Sequence, residues 1–362
     1  MAIPLFDPTT PLAPLHDRLR AAVDGVLEDG RFILGPEVAA FETEFAEHLG
    51  ARHAVGVANG TEAITIALRA LGVGPGDDVV VPSFTYYASA EAIPPTGARP
   101  VFCDVDPDTM CVTADTVRAA LTPQTKAVIA VHLFGNVAPV AEIERTTGLP
   151  VLEDAAQAAG SRGPDGRPGA LGTIATFSFY PSKNLGAFGD GGAVTTSDDA
   201  LARAVRTLRF HGSEDKVTYT EVGYNSRLDT LQAAVLRVML EALDGWAQHR
   251  ADVAGWYAGA GLGDHVALPV ATDGATPAWH LYVVRHPRPD ELAAALRTRG
   301  VEARGYYRVP THRQPAMAPW AGAELPVTDE LARTHLALPI SAAITREQVG
   351  EVVAAVRACA SG

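Results

Sequence analysis

Only three cysteines, Cys103, Cys111 and Cys359, occur in 362 residues, and none are spaced as Cys-x-x-Cys. Neither a disulfide framework nor a cysteine zinc site is expected, and a reducing cytoplasm fits. Long apolar runs are missing as well: none approaches the roughly 20 residues that a membrane helix needs. The opening residues, Met1 to Pro8, lack the basic start and apolar stretch of a signal peptide. Positive charge is scarce, with 29 Lys and Arg against 42 Asp and Glu and a net charge of -13. Nucleic acid and anionic membranes demand clustered cations, so neither is an expected partner. A phosphate-bearing ligand has to be met locally, by helix N-termini and a few placed side chains. Internal repeats and low-complexity tracts are absent. No Gly-x-Gly-x-x-Gly follows the first predicted strand, which argues against a nicotinamide dinucleotide site.

What the chain does have is a core-forming composition, 47% apolar and 20% charged, over a length that exceeds one ordinary core. Helical periodicity at 15–27 and 38–49 precedes a regular alternation. Short apolar runs at 53–58, 78–82, 100–105, 127–133 and 150–153 read as strands, and the patterns at 62–71, 86–93, 115–121 and 138–146 read as helices. This α/β rhythm predicts a large, mostly parallel sheet covered by helices on both faces, with ligands bound off the carboxyl ends of its strands. Strands at 174–179 and 192–196, a helix at 200–210 and one long helix at 229–250 complete it. Beyond that the pattern thins to a strand at 279–285, a helix at 289–299, an extended segment at 301–307 and a last helix at 346–359. The expectation is a large domain over 1–250 and a smaller α+β C-terminal domain over 251–362.

Lys183 lies just past the strand-like run ending at Phe179 and ahead of the glycine-rich Gly186 to Gly192. There its amine is available for covalent chemistry, or it is an ordinary loop lysine. Asp154 ends a buried-looking strand, where a carboxylate is costly unless it meets a cation or caps a following helix. If Lys183 carries pyridoxal phosphate, that cation is the protonated ring nitrogen, which Asp154 would hold by a charge-assisted hydrogen bond. Asn59-Gly60-Thr61 opens a helix after the first strand, a phosphate site or a plain cap on Asn59. Ser178 is a second candidate phosphate ligand or a strand hydroxyl. Tyr86 stands where a flat cofactor would stack, or in the core. Gln157 reaches the ring's phenolic oxygen or solvent.

Taken in order, N-G-T at 59–61, P-S-F-T-Y-Y-A-S at 82–89, P-V-F-C-D-V-D at 100–106, V-H-L-F-G at 131–135, E-D-A-A-Q-A at 153–158, F-S-F-Y-P-S-K-N-L-G at 177–186 and G-Y-N-S-R-L-D-T-L-Q-A-A-V at 223–235 form a specific set. In these residues the chain resembles the pyridoxal-phosphate-dependent sugar aminotransferases of the DegT/StrS type, strongly over residues 30 to 250. The resemblance implies an aspartate-aminotransferase-like fold (fold type I) and a homodimer with shared active sites. Carried over residue by residue, Lys183 would bind the cofactor covalently, Asp154 would pair with its ring nitrogen, Gln157 would contact its phenolic oxygen and Tyr86 would stack on it. Gly60, Thr61 and Ser178 would hold its phosphate, and Asn225 would reach that phosphate from the other subunit, with Arg227 nearby. Asn59 stands where many relatives have Ser. Trp279, His280, Tyr282, Tyr307 and His312 are candidate contributors to the substrate pocket, and core packing explains Trp279 and Tyr282 equally well. The implied reaction moves an amino group, usually from glutamate, to a nucleotide-linked keto sugar, with Lys183 shuttling the proton.

Lys183 to Gly192 is similar to the version in enzymes that aminate C3 of dTDP-linked 3-keto-6-deoxyhexoses, whereas C4 relatives more often carry Thr-Gly-Glu-Gly-Gly. Arg304 to His312 departs from the His-Tyr-Pro pattern of the C3 group, which keeps C4 as the alternative. Two rival readings on the same fold are a dehydratase, whose lysine is replaced by histidine, and a non-catalytic regulator or ligand sensor. Lys183 argues against the first, and the full lysine, aspartate and phosphate set against the second.

Overall fold

The computed structural model describes residues 2–360. Seven strands form its main sheet: β1 (His53–Val57), β2 (Asp78–Pro82), β3 (Arg99–Cys103), β4 (Thr125–Val131), β5 (Val151–Asp154), β6 (Ile174–Ser178) and β7 (Gly192–Thr196). Their order is β1-β7-β6-β5-β4-β2-β3. β3, β2, β4, β5 and β6 run parallel, and β7 lies antiparallel between β6 and β1. The strands are short apolar runs such as Val79-Val80-Val81 because helices cover the sheet on both sides. Ile174 and Val194 face one core with the helix Gly60–Ala70, while Ala175, Phe177 and Ala193 face a second with the helices Pro36–Leu49 and Thr230–Leu240. The parallel strands therefore deliver the residues after β2, β4, β5 and β6 to one edge of the sheet.

The expected long helix is two, Thr230–Leu240 and Leu243–Gly259, broken at Glu241-Ala242. The apolar pattern continues across the break without Gly or Pro, so nothing local announces it. Leu236, Met239, Leu240 and Leu243 pack in the sheet core, and Val253 and Tyr257 pack in a third, C-terminal core. That third core also takes in Ile3, whose strand-like contact with Val301 ties the start of the chain to its last third.

The C-terminal strand is shorter than expected. β8 (Tyr282–Arg285) begins only after Trp279, whose φ of 47° is left-handed, and it pairs antiparallel with β9 (His335–Leu338). Tyr282, Val284, Leu336 and Leu338 face the C-terminal core, while Leu281, Val283 and Ala337 join the main sheet's core, the two-residue alternation of a strand pair buried on both sides. The segment at 301–307 makes only isolated bridges, one of them between Arg304 and Ala337. On these cores we propose a domain division near residue 250, inside the second helix. No helix among the described residues is long and apolar enough to cross a membrane.

Candidate active site

β5 and β6 end side by side and place Asp154 and the loop to Lys183 in one cleft. After β6 the chain turns back on itself: the Ala187 N–H donates to the Phe179 carbonyl at 2.7 Å and the Lys183 N–H to the Tyr180 carbonyl at 2.8 Å. Buried Leu185 and Ala187 anchor the loop, so the lysine is held. Burial lowers the Lys183 amine from 10.5 to about 8, against the pull of the Asp154 carboxylate, which favours the charged form. The residue as a whole is half-buried, so its surroundings are a cleft and not a sealed core. Desolvation without sealing is what a reactive amine at neutral pH needs.

Asp154 is buried and accepts from Ser89 Oγ at 2.7 Å and from the Ala156 N–H at 3.2 Å. Turns follow it, so it caps no helix. Among the described residues no arginine or histidine pairs with it, which leaves a buried carboxylate near Lys183 without a guanidinium or imidazolium partner. The protonated nitrogen of a pyridine ring fits that chemistry.

Beside this pair, Gln157 Oε1 accepts the Phe134 N–H at 2.7 Å, and its Nε2 donates to Tyr307 Oη at 3.0 Å. Tyr307 stacks on Phe134 with centroids 5.7 Å apart and 7° between planes. The Tyr306 and Tyr307 N–H groups both donate to His335 Nε2, at 3.0 and 3.1 Å.

At the end of β1, Asn59 Oδ1 caps the helix Gly60–Ala70 by accepting the Glu62 N–H at 2.8 Å. The cap and the anion site are compatible, because Gly60 packs directly on Ser178: a Cβ on Gly60 would lie 2.7 Å from the serine Cβ. The Gly60 and Thr61 backbone, the Thr61 hydroxyl and Ser178 therefore share one small region at a helix N-terminus, a donor set suited to a phosphate.

The opposite wall comes from the C-terminal third. Asn184 Nδ2 donates to the Ala278 carbonyl at 2.9 Å, which leaves Oδ1 to accept from His280 Nδ1 at 3.2 Å. His280 therefore carries its hydrogen on Nδ1 and a lone pair on Nε2. Burial, with the charges of Lys183 and Arg250, holds it neutral, well below its ordinary range. Arg250 is buried with its Nη1 on the Trp279 and Ile340 carbonyls, no carboxylate partner among the described residues, and a pKa lowered by burial to about 10. The left-handed Trp279 is wedged against Gly135, where a Cβ would come within 2.8 Å of the Trp279 nitrogen and 2.9 Å of that of His280. Strain of this kind persists where the surroundings enforce it, and here it aims His280.

Other expected residues stand apart. Tyr86 is 59% exposed, so it is not a core aromatic. Asn225 is exposed and bridged to Phe210, and the Arg227 guanidinium lies 5.8 Å from the Phe210 ring. Among the described residues no bond joins either to Lys183, Asp154 or Gly60 of the same chain. His312 is buried with Nδ1 2.6 Å from Ser83 Oγ, an anchor for its own loop at the end of β2. Sequence reasoning missed Ser89 and Asn184, although both lie inside the quoted motifs. It also missed Arg250 and His335, which carry no local signal.

The chain matches the DegT/DnrJ/EryC1/StrS aminotransferase family over residues 15–357. It is 45% identical over 362 residues to the dTDP-3-amino-3,4,6-trideoxy-alpha-D-glucose transaminase of Streptomyces venezuelae, covering 98% of this chain and 95% of the relative. It is 41% identical over 359 residues to the UDP-N-acetyl-3-dehydro-alpha-D-glucosamine 3-aminotransferase of Acidithiobacillus ferrooxidans, covering 98% of this chain and 97% of that one. Among solved structures, S. venezuelae DesV in complex with a ketimine intermediate superposes with a TM-score of 0.96 at 44% identity, covering 100% of this chain and 99% of that one. The chain belongs to this family, and its fold is that of the pyridoxal-phosphate sugar aminotransferases.

Proposed function

From this membership, as a pyridoxal-phosphate-dependent sugar aminotransferase, we propose that the protein transfers an amino group from glutamate to C3 of a dTDP-linked keto-deoxyhexose. The observation that carries the reading is the shared cleft of Lys183 and Asp154: a desolvated amine facing a buried carboxylate that lacks a guanidinium partner. When bound, the cofactor supplies an electron sink and a temporary carrier for the amino group. Lys183 binds it covalently and, once released and neutral, moves the proton at its Nζ. Asp154, fixed by Ser89, keeps the ring nitrogen protonated. Gln157 faces the phenolic oxygen, Tyr86 covers the ring, and Gly60, Thr61 and Ser178 hold the phosphate.

His280 and Tyr307 line the sugar side, with His312 behind them as an anchor. Asn225, exposed, and Arg227, half-buried against Phe210, are both unconnected to the cleft of their own chain and serve the phosphate of a second copy in a homodimer. C3 is supported by the Lys183–Gly192 segment and by the products or substrates named for the Streptomyces and Acidithiobacillus relatives, which differ in nucleotide. C4 is the competing outcome, favoured by the divergent Arg304–His312 segment.

The test is incubation with glutamate and a panel of dTDP- and UDP-linked 3-keto and 4-keto sugars, with the new amine located by NMR. Amination at C3 of a dTDP sugar is expected. Amination at C4, or of UDP sugars alone, overturns that part of the reading, and no product from any of them overturns the nucleotide-sugar assignment.

A further inference from the structure

Gln157 offers two N–H donors and one carbonyl acceptor. A backbone N–H can only donate, so the 2.7 Å bond from Phe134 settles which end of the amide is oxygen. One Nε2 hydrogen goes to Tyr307 Oη at 3.0 Å. The other has no protein acceptor among the described residues, although Gln157 is buried. A buried donor left unpaired is costly, so this N–H is held for a ligand.

Tyr307 is itself immobilised from three sides. It stacks on Phe134, meets the edge of Phe84 at 5.8 Å and 87°, and has its backbone pinned to His335 together with that of Tyr306. Two N–H donors converge on His335 Nε2, so that atom is a lone pair and Nδ1 carries the hydrogen, which goes to the Leu331 carbonyl at 2.7 Å. Phe134 appears twice, giving its N–H to Gln157 and its ring to Tyr307. The amide, the phenol and the phenylalanine thus form a closed clamp that ties the turns after β4 and β5 to the segment at 301–307.

We propose that Tyr307 is a positioning residue for the cofactor: with the Phe134 backbone it fixes the Gln157 amide so that the remaining N–H is aimed at the cofactor's phenolic oxygen. This rests on the reading that Gln157 faces that oxygen. It gives Tyr307 a role on the cofactor, and it makes the cofactor's electronics depend on a residue of the C-terminal third.

The test uses purified holoenzyme of the wild type, Gln157→Ala, Tyr307→Phe and the double variant. Two quantities are read, neither of them turnover: the pH midpoint of the bound cofactor's visible absorption change, and the rate of cofactor release on dialysis. Gln157→Ala is expected to shift the midpoint by about one pH unit and speed release about tenfold, the scale of one lost hydrogen bond. Tyr307→Phe keeps the ring and its stacking, so it is expected to fold, which a thermal melt verifies, and to shift both quantities in the same direction. In the double variant the shift is no larger than in Gln157→Ala, because Tyr307 acts through Gln157. If Gln157→Ala shifts both quantities while Tyr307→Phe matches the wild type, or if the two effects simply add, the inference is overturned. A Gln157→Ala variant with the wild-type midpoint overturns instead the reading of Gln157 on which it rests.

Discussion

Gly60 packs on Ser178 so closely that an added Cβ would lie 2.7 Å from the serine Cβ and 3.3 Å from its Oγ. The contact brings the start of a helix against the end of β6, and with it the backbone N–H groups that meet a phosphate. Gly60→Ala has to push these elements apart. The expected result is a cofactor dissociation constant raised about tenfold or more, roughly 1.4 kcal/mol or above, measured by titrating the apoprotein with pyridoxal phosphate. Unchanged affinity contradicts the phosphate assignment.

His280 presents a lone pair on Nε2 because Asn184 occupies Nδ1. The one ring nitrogen left free is an acceptor, which selects a hydroxyl donor such as the proposed sugar substrate carries. His280→Phe is expected to leave reaction with the amino donor within about twofold, and to slow reaction with the keto sugar at least tenfold, on the order of one lost hydrogen bond to a substrate. Single-turnover absorbance of each half-reaction separates the two. Equal losses in both mean that His280 supports the fold and does not contact the sugar.

The lowered amine of Lys183 has a signature in the apoprotein. Its folded pKa of about 8 lies below the ordinary 10.5, so the neutral amine is present from about pH 8 upward. Between those values the unfolded chain holds the proton that the folded chain has lost. The rate at which apoprotein captures pyridoxal phosphate should rise with a midpoint near 8. A midpoint near 10.5 contradicts the desolvated cleft.

His335 gives a second pH dependence, of stability. Burial holds it neutral to about pH 4, below its ordinary 6.5. The unfolded chain therefore takes up the proton first: the contribution is intact above about 6.5 and is lost as pH falls towards 4. Over that window it amounts to up to about 3 kcal/mol. Glutamine offers an acceptor oxygen and a donor NH2 group in place of the two ring nitrogens and does not titrate, so His335→Gln should flatten the fall between pH 6.5 and 4 in chemical denaturation. An identical pH profile for the two proteins contradicts this assignment.

The seven sheet strands were legible because strands buried on both faces are continuous apolar runs, and Val79-Val80-Val81 admits little else. Lys183 and Asp154 stood out because each comes with such a run, and the structure places Asp154 at the end of β5 and Lys183 in the loop after the adjacent β6. β9 and the helix Pro326–Thr334 before it were not. His335 through Leu338 is a four-residue strand that follows its helix with no turn residue between them, and it is defined by pairing with β8. The break at Glu241-Ala242 had no signal in the sequence because neither Gly nor Pro stands at it and the apolar pattern runs on to Leu243, which packs in the same core as Leu240. The bond that holds His312 had no local signal, because its partner Ser83 lies 229 positions away. Arg250 reads as one more polar position on a helix until Trp279 and Ile340 fold over it.

The central claim is that Lys183, facing Asp154, is the residue that binds pyridoxal phosphate. Borohydride reduction of the holoprotein followed by peptide mass mapping tests it most directly. The account predicts the reduced cofactor's mass on the peptide containing Lys183, with no label and no visible absorption band in Lys183→Ala. Label on Lys126 or Lys216, or a Lys183→Ala protein that still carries the reduced adduct, would contradict it.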